Sequence, residues 1–366
     1  MQNQLLDPIT HQLGPDGPFV TLRPANVDDP LEMEQLMDIS RACSEHITGA
    51  FAALTAEQLR RAMSSSDVHQ AYAFVAEVEM LEGGTHVAAT GSLFLPLKEN
   101  LNDVFVDGEV HPAMRGRGIG RLLWDHLVEG ARRTGRTRIT CFSTDRAGAP
   151  IEQSPGSHLA ESAGLTKVSQ ADIRVLALPV ADTTLDALAA QSMPHAAGYE
   201  LRTIIGALPE ELLVPWGQML RQLEIDDPDE DYESEIPDYT PERIRAGERR
   251  LAERGYERIA VVALDADGNA AGNTFADVHI GEGSTLGIQQ NTLVMPGHRG
   301  HRLGLAMKVL LHRALTEHAP HLTRVQTWNS HINDHMGRIN EQLGYEKAGV
   351  ERCFQGSIPE VAQNER

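Results

Sequence analysis

The residues best suited to chemistry lie in the stretch VHPAMRGRGIGRLL, residues 110–123, where three glycines and three arginines stand between a strand-like run and an amphipathic helix pattern. A chain that leaves a strand, passes through glycines and opens a helix aims consecutive backbone N–H groups at one point, and the helix dipole favours an anion there. Gly116, Gly118 and Gly120 let the backbone approach closely, while Arg115 and Arg117 add positive charge, so the group held should be a phosphate or pyrophosphate. A tight strand-to-helix turn with exposed arginines explains a lone glycine loop equally well. The sequence has no G-x-x-x-x-G-K-[ST], hence neither the lysine nor the magnesium-binding hydroxyl of a nucleotide triphosphate loop. Nor is the spacing G-x-G-x-x-G, and no acid stands about twenty residues on to hold a ribose.

The loop has a counterpart in VMPGHRGHRLGLAM, residues 294–307, where Arg302 stands in the place of Gly118. VTLRPA matches YELRTI, ATGSLF matches AGNTFA, and ESAGL matches EQLGY, at an offset that stays between 179 and 184 residues. Self-similarity at a fixed offset is the mark of a duplication. The expected organisation is a first domain over residues 1–180, a linker over 181–198 and a second domain over 199–366. Each half reads as an opening strand, one or two helices, a hairpin, a strand into the loop, a helix, a strand, a helix and a last strand pair. The hairpins turn at Gly83-Gly84 and at Asp267-Gly268. After the loops, Ile119, Leu122, Leu123, Leu127 and Ala131, or Leu303, Ala306, Met307, Leu310, Leu311 and Ala314, share one helical face that must pack on a sheet. The fold class expected is α/β with α+β character, a mixed central sheet flanked by helices in each half.

R-x-x-G-x-G preceded by V-H-P and followed by ESAGL, together with LVMPGHRGHRLGLAMK and TWNSHINDHMGRINEQLGY in the second half, resembles the GNAT acyl-CoA N-acyltransferase family. The duplication resembles actinobacterial tandem GNAT proteins over nearly the whole chain. This resemblance implies that the amides of Arg115, Gly116, Arg117, Gly118, Ile119 and Gly120 grip the pyrophosphate of acetyl-CoA, or of another short acyl-CoA. It implies that the strand end Gly108, Glu109 and Val110 pairs with the pantetheine arm. The matching positions in the second half are Thr292, Leu293 and Val294, then Arg299, Gly300, His301, Arg302, Leu303 and Gly304. Arg302 can still donate its N–H there if its φ stays negative. Asn333 would contact the pantetheine arm. Asn340 stands where the family places a tyrosine; an amide can hydrogen-bond a sulfur but cannot protonate it.

Acylating an amine requires a base, because only the neutral amine attacks. Glu109 is the candidate in the first half, with Asp107 on the same side of an alternating strand; the plainer reading is a surface carboxylate neutralised by Arg115 or Arg117. The first-half helix GSHLAESA carries neither the asparagine nor the tyrosine, so neither half is complete. The second half is favoured as the acceptor site by DDPDEDYESEIPD, residues 226–238, with eight carboxylates and no basic residue. Asp226, Asp227, Asp229 and Glu230 are expected to attract a cationic acceptor, although a solvated loop would look the same.

Composition narrows the classes. A formal charge of −20, from 32 basic and 52 acidic side chains, argues against a nucleic-acid surface. No run approaches a membrane span, and the N-terminus carries no secretory pattern. Cys43, Cys141 and Cys353 lie far apart, which suits a reducing, cytoplasmic setting. His331 and His335 form an i, i+4 pair, but H-E-x-x-H is absent and no metal is expected. The function expected is N-acylation, with acetyl-CoA as co-substrate, of a small cationic amine. The alternatives are a peptide or protein amine as acceptor, or a non-catalytic acyl-CoA-binding scaffold. Monomer and homodimer are both compatible with a tandem chain.

Overall fold

The structure, a computed structural model, describes residues 5–80, 83–226 and 231–359. The chain runs β1 (Ile9–Gln12), β2 (Phe19–Pro24), α1 (Pro30–Thr48), α2 (Ala56–Ala62), β3 (His69–Glu79), β4 (Thr85–Pro96), β5 (Asp103–Val110), α3 (Ile119–Arg133), β6 (Arg138–Arg146), α4 (Pro155–Ser162) and β7 (Thr166–Ala177). After α5 (Asp182–Ser192) the pattern from β2 onward repeats as β8 (Glu200–Ile205), α6 (Leu213–Asp226), α7 (Pro241–Glu253), β9 (Tyr256–Leu264), β10 (Ala270–His279), β11 (Leu286–Val294), α8 (Leu303–His318), β12 (Arg324–Ser330), α9 (Asp334–Leu343) and β13 (Glu346–Ser357). Local chemistry sets these boundaries. Asp29 accepts from Leu31 N–H ahead of Pro30 to open α1, and Gly49, at φ +70°, closes it.

All thirteen strands join one sheet in the order β1-β2-β3-β4-β5-β6-β13-β7-β12-β11-β10-β9-β8. Every neighbouring pair is antiparallel except β5 with β6 and β11 with β12. The middle of this order departs from the expected pair of closing strands in each half. Each half ends in a single twelve-residue strand, and the two cross over: β13 pairs with β6 of the first half, and β7 pairs with β12 of the second. They also pair with each other, with Glu351 opposite Ala171. Neither half could end here without leaving a long unpaired edge, and the exchange removes both edges at once.

The segment read as a linker is largely helical, and it packs. Leu185, Leu188 and Ala196 are buried in the core of the second half, against α8. Helix α8 therefore lies between the sheet and α5, and most of its residues are buried, including Lys308 and His312. In the first half, α3 packs Ile119, Leu123 and Leu127 onto Phe74, Leu93 and Val106 of the sheet. Among the described residues no helix is long and apolar enough to cross a membrane.

Candidate active site

The pairing of β11 with β12 runs from Leu286 opposite Arg324 to Ile288 opposite Gln326 and goes no further. The reason is visible on the other edge of β11. Phe275 lies opposite Asn291 and Ala276 opposite Gln289, so Gln290 is an extra residue, a β-bulge that bends the strand away. Beyond it, the β12-facing backbone edge of residues 290–294 has no strand partner. This wedge opens into a cleft of about 1070 Å³ lined by Gln290, Thr292, Val294, Arg299, Gly300, Arg302, Leu303, Gly304 and Asn333, among others. In the first half β5 and β6 part after Val106 opposite Cys141 with no bulge, because the parallel pairing simply ends.

The loops that close the two wedges have the same shape. Gly116 and Gly118 sit at φ +76° and +86°, and Gly300 and Arg302 at φ +86° and +51°. The condition that Arg302 keep a negative φ is thus not met, and it takes the left-handed conformation of Gly118 instead. An L-residue adopts the left-handed conformation that glycine adopts in the first half, at a cost of about 1 kcal/mol, because the loop must turn there to start the helix. The Arg302 guanidinium donates to the Gln191 carbonyl of α5 at 3.0 Å rather than pointing freely to the loop. Arg115 Nε donates to Val110 O at 3.1 Å and Arg299 Nε to Val294 O at 3.2 Å, so the same arginine braces each loop on its strand. The first helical turns close on Gly118 O in α3 and on Arg302 O in α8. The N–H groups ahead of those bonds have no carbonyl behind them, which is the donor array an anion requires. His301 does not line the cleft and packs on the Tyr199 ring at 5.5 Å.

Behind the cleft lies a buried polar network. Asn333 caps α9, accepting from Met336 N–H at 3.1 Å, and lines the cleft as well. Asn340 is fully buried and is absent from the cleft lining. Its Oδ1 accepts from Lys308 Nζ at 2.7 Å and its Nδ2 donates to Asn329 Oδ1 at 2.6 Å. The expectation that Asn340 meets the thioester is corrected on that ground: an amide with both ends engaged inside the protein acts through Lys308 and Asn329, both of which line the cleft. Tyr345 OH donates to Gln289 Oε1 at 2.6 Å, and burial raises its pKa well above the ordinary phenol range. Asn291, 8% exposed and part of the cleft wall, has no hydrogen-bond partner among the described residues for either side-chain atom. A buried amide so placed can hydrogen-bond a polar group that enters the cleft.

Beyond β12 the wall of the cleft comes from two strands of the first half, with Phe142 of β6 and Ser169, Gln170 and Ala171 of β7, and from Glu351 of β13. Burial, reinforced by the charge of Asp107, raises the Glu351 carboxyl. The Trp328 indole N–H faces that carboxylate and favours its charged form without reaching hydrogen-bond geometry. Neither Glu351 nor Lys308 is apparent in the sequence as a site residue. Lys308 did leave one signal, a lone lysine in LGLAMKVLLHRAL with no acid three or four residues away; Glu351 left none, because only the strand exchange brings it there.

In the first half, Glu109 is half-buried at the end of β5, and burial with the neighbouring Asp107 pushes its carboxyl up to about 8, against the pull of Arg115. Asp107 reaches solvent but sits in the wedge with protein on most sides, which raises it too. The counterpart of Asn333 is the N-cap Ser154, and seven residues on stands Glu161, exposed to solvent. Gly108 is exposed, and Val110 O also takes the Cys43 thiol at 3.6 Å.

The acidic run divides. Asp226 ends α6 and lines the cleft, but its carboxylate is paired with Arg299 of the loop. Asp227, Asp229 and Glu230 lie outside the described residues. Further on, Glu233 pairs with Arg138, and Glu235 exchanges hydrogen bonds with Asn100, so this part straps the second half to the first. Among the described residues no group of three or more His, Cys, Asp and Glu side chains is placed to hold a metal ion.

Two wedges between parallel strands, each closed by a glycine-bearing loop and a helix N-terminus and joined through exchanged strands, make this a tandem GNAT fold. Residues 34–149 match the model of the Acetyltransferase (GNAT) family, so the first half carries a GNAT domain by sequence. The chain is similar, at 24% identity and a TM-score of 0.73, to a tandem GNAT protein from the clavulanic acid biosynthesis pathway, covering 93% of this chain and 99% of that one. A GCN5-related N-acetyltransferase from Sphaerobacter thermophilus is similar at 18% identity and a TM-score of 0.59, over 93% and 96% of the two chains. The N-myristoyltransferase of Saccharomyces cerevisiae follows at 13% identity and a TM-score of 0.54, over 92% and 79%. At these identities the likeness is one of fold. No curated protein compared with the chain matches it. Acyl transfer from acyl-CoA is the chemistry of the family.

Proposed function

We propose that the protein transfers an acyl group, in the first instance acetyl, from acyl-CoA to the nitrogen of a small cationic amine, and that the second half holds the working cleft. The observation that carries this reading is the wedge at Gln290, which sets the free edge of β11 beside the donors of the loop and α8. A pantetheine arm carries amides that can add to such an edge as a strand would, and Asn291 offers an unpartnered amide in the same wall. The pyrophosphate suits the N–H groups of Gly300 to Gly304. Glu351 is the carboxylate the cleft presents to an amine, and its raised proton affinity suits a base. Once ionised, the same Glu351 carboxylate favours a cation over a neutral acceptor.

A second reading has a specific observation in its favour: Glu109, with its pKa near 8, would serve as base for chemistry in the first half. Thiol release from acetyl-CoA over a panel of diamines, amino sugars and peptides, compared between Glu351→Gln and Glu109→Gln, separates the two. Calorimetric titration with acetyl-CoA counts the occupied loops. Tight binding with no release on any amine would sink both readings in favour of a binding scaffold.

A further inference from the structure

We infer that Lys308 delivers the proton to the thiolate that leaves in the second-half cleft; this rests on acyl transfer taking place there. Lys308 lines the cleft yet is 1% exposed, which is unusual for an ammonium group. Its Nζ donates to Asn340 Oδ1 at 2.7 Å and lies 5.5 Å from the centre of the Tyr345 ring, and no carboxylate pairs with it among the described residues. Asn340 is held in turn by Asn329, so the amine is positioned by an amide that cannot itself titrate. An ammonium has three donor hydrogens, and the one side-chain acceptor, Asn340, leaves the others without a side-chain partner among the described residues. A charged amine buried with one neutral acceptor costs stability, and retention of such a group fits a task in proton transfer.

The groups facing it do not supply a counter-charge. His312, one turn along α8, is pushed down to about 3 by burial and by Lys308, and is neutral. The Tyr345 phenol is raised and neutral as well. Glu351, Asp226 and His335 stand elsewhere in the cleft wall. Burial alone pushes Lys308 down to about 7, so near neutral pH it exchanges a proton readily. In the transfer, the amine nitrogen forms the new C–N bond and the C–S bond breaks with its electron pair going to sulfur. Lys308 gives that thiolate a proton, and the proton released by the acceptor nitrogen, through Glu351 and solvent, restores the ammonium. The first half has Trp124 at the matching place on α3 and no such amine.

The test uses the full chain, acetyl-CoA and the amine giving fastest thiol release, with kcat and KM followed across pH. Wild-type kcat should fall as pH rises through about 7, as the ammonium is lost. Lys308→Met should lower kcat about 10²-fold and erase that limb, with the calorimetric Kd for acetyl-CoA changed by less than about threefold, below the 1.4 kcal/mol of a tenfold change. Asn340→Asp, which sets a carboxylate on Nζ, should move the limb to higher pH. Direct NMR titration of the Lys308 amine in the wild type should give a pKa near 7, and this does not depend on any variant folding. A limb that survives Lys308→Met, a limb unmoved by Asn340→Asp, or an amine titrating near the ordinary value of about 10.4 overturns the assignment. Wild-type protein that binds acetyl-CoA but acylates no amine sinks the acyl-transfer reading, and the role of Lys308 with it.

Discussion

The two halves repeat a fold but divide its chemistry. The first keeps the fuller glycine pattern in its loop and two acids at the end of β5, Asp107 and Glu109, where the second has Asn291 and Leu293. The second has the bulge at Gln290, the asparagine cap at Asn333, the buried amine of Lys308 and the 1070 Å³ cleft. The loop shape survives the replacement of Gly118 by Arg302, since Arg302 accepts a left-handed φ. Glycine content is therefore a poor guide to which loop is in use. The placement of polar groups at the wedge is a better one, because a wedge without a bulge or a buried polar wall has less to offer an amide-bearing ligand.

Breaking the loops one at a time gives the largest effect. A valine in a left-handed conformation costs about 1–2 kcal/mol and moves the backbone donors, so Gly300→Val should lower turnover by about 10²-fold or more through lost positioning. Gly116→Val in the first half should cost less than tenfold, about 1.4 kcal/mol. Equal losses would mean that both halves work. Next comes the base: Glu351→Gln should reduce kcat about 10²-fold and Glu109→Gln much less. If the order is reversed, chemistry belongs to the first half. The wild-type rate should then climb as pH rises through about 8, because the Glu109 carboxyl accepts a proton only once it has lost its own.

Smaller effects sharpen the same contrast. Asp226→Asn frees Arg299 from an exposed ion pair worth about 0–1 kcal/mol, so acetyl-CoA should bind up to about fivefold more tightly while the acceptor KM holds; a raised acceptor KM would restore the acidic-run reading instead. For Arg302, the alanine variant keeps the strained φ and loses the bond to Gln191. It should be less stable than the glycine variant by about 1 kcal/mol, measured by denaturant unfolding, whereas the matching Gly118→Ala should destabilise the first half.

Much of this was legible in the chain. The loops could be read because their need for positive φ and close backbone approach selects glycine within a few adjacent residues. Asn333 was visible because an N-cap is a local event. Asn340 was misjudged because spacing along a helix gives a position and not the direction in which neighbours close over it. Lys308 and Asn329 complete its hydrogen bonds from other elements, and no periodicity reveals that.

By itself the sequence determined the duplication, the order of elements and the two loops, all set by contacts a few residues apart or by the recurrence of a pattern. The tertiary structure decided which strands close which half, and with that which residues meet in the cleft. Strand exchange brings Glu351 of β13 and Ser169 to Ala171 of β7 to a wall shared with β12. Asn340 of α9 and Tyr345 enclose the buried amine of Lys308. The physical reason is that hydrogen bonding satisfies sheet edges without regard to sequence distance, while charge and burial act through space, so residues remote along the chain, Phe142 and Ser169 among them, can join the wall of the site.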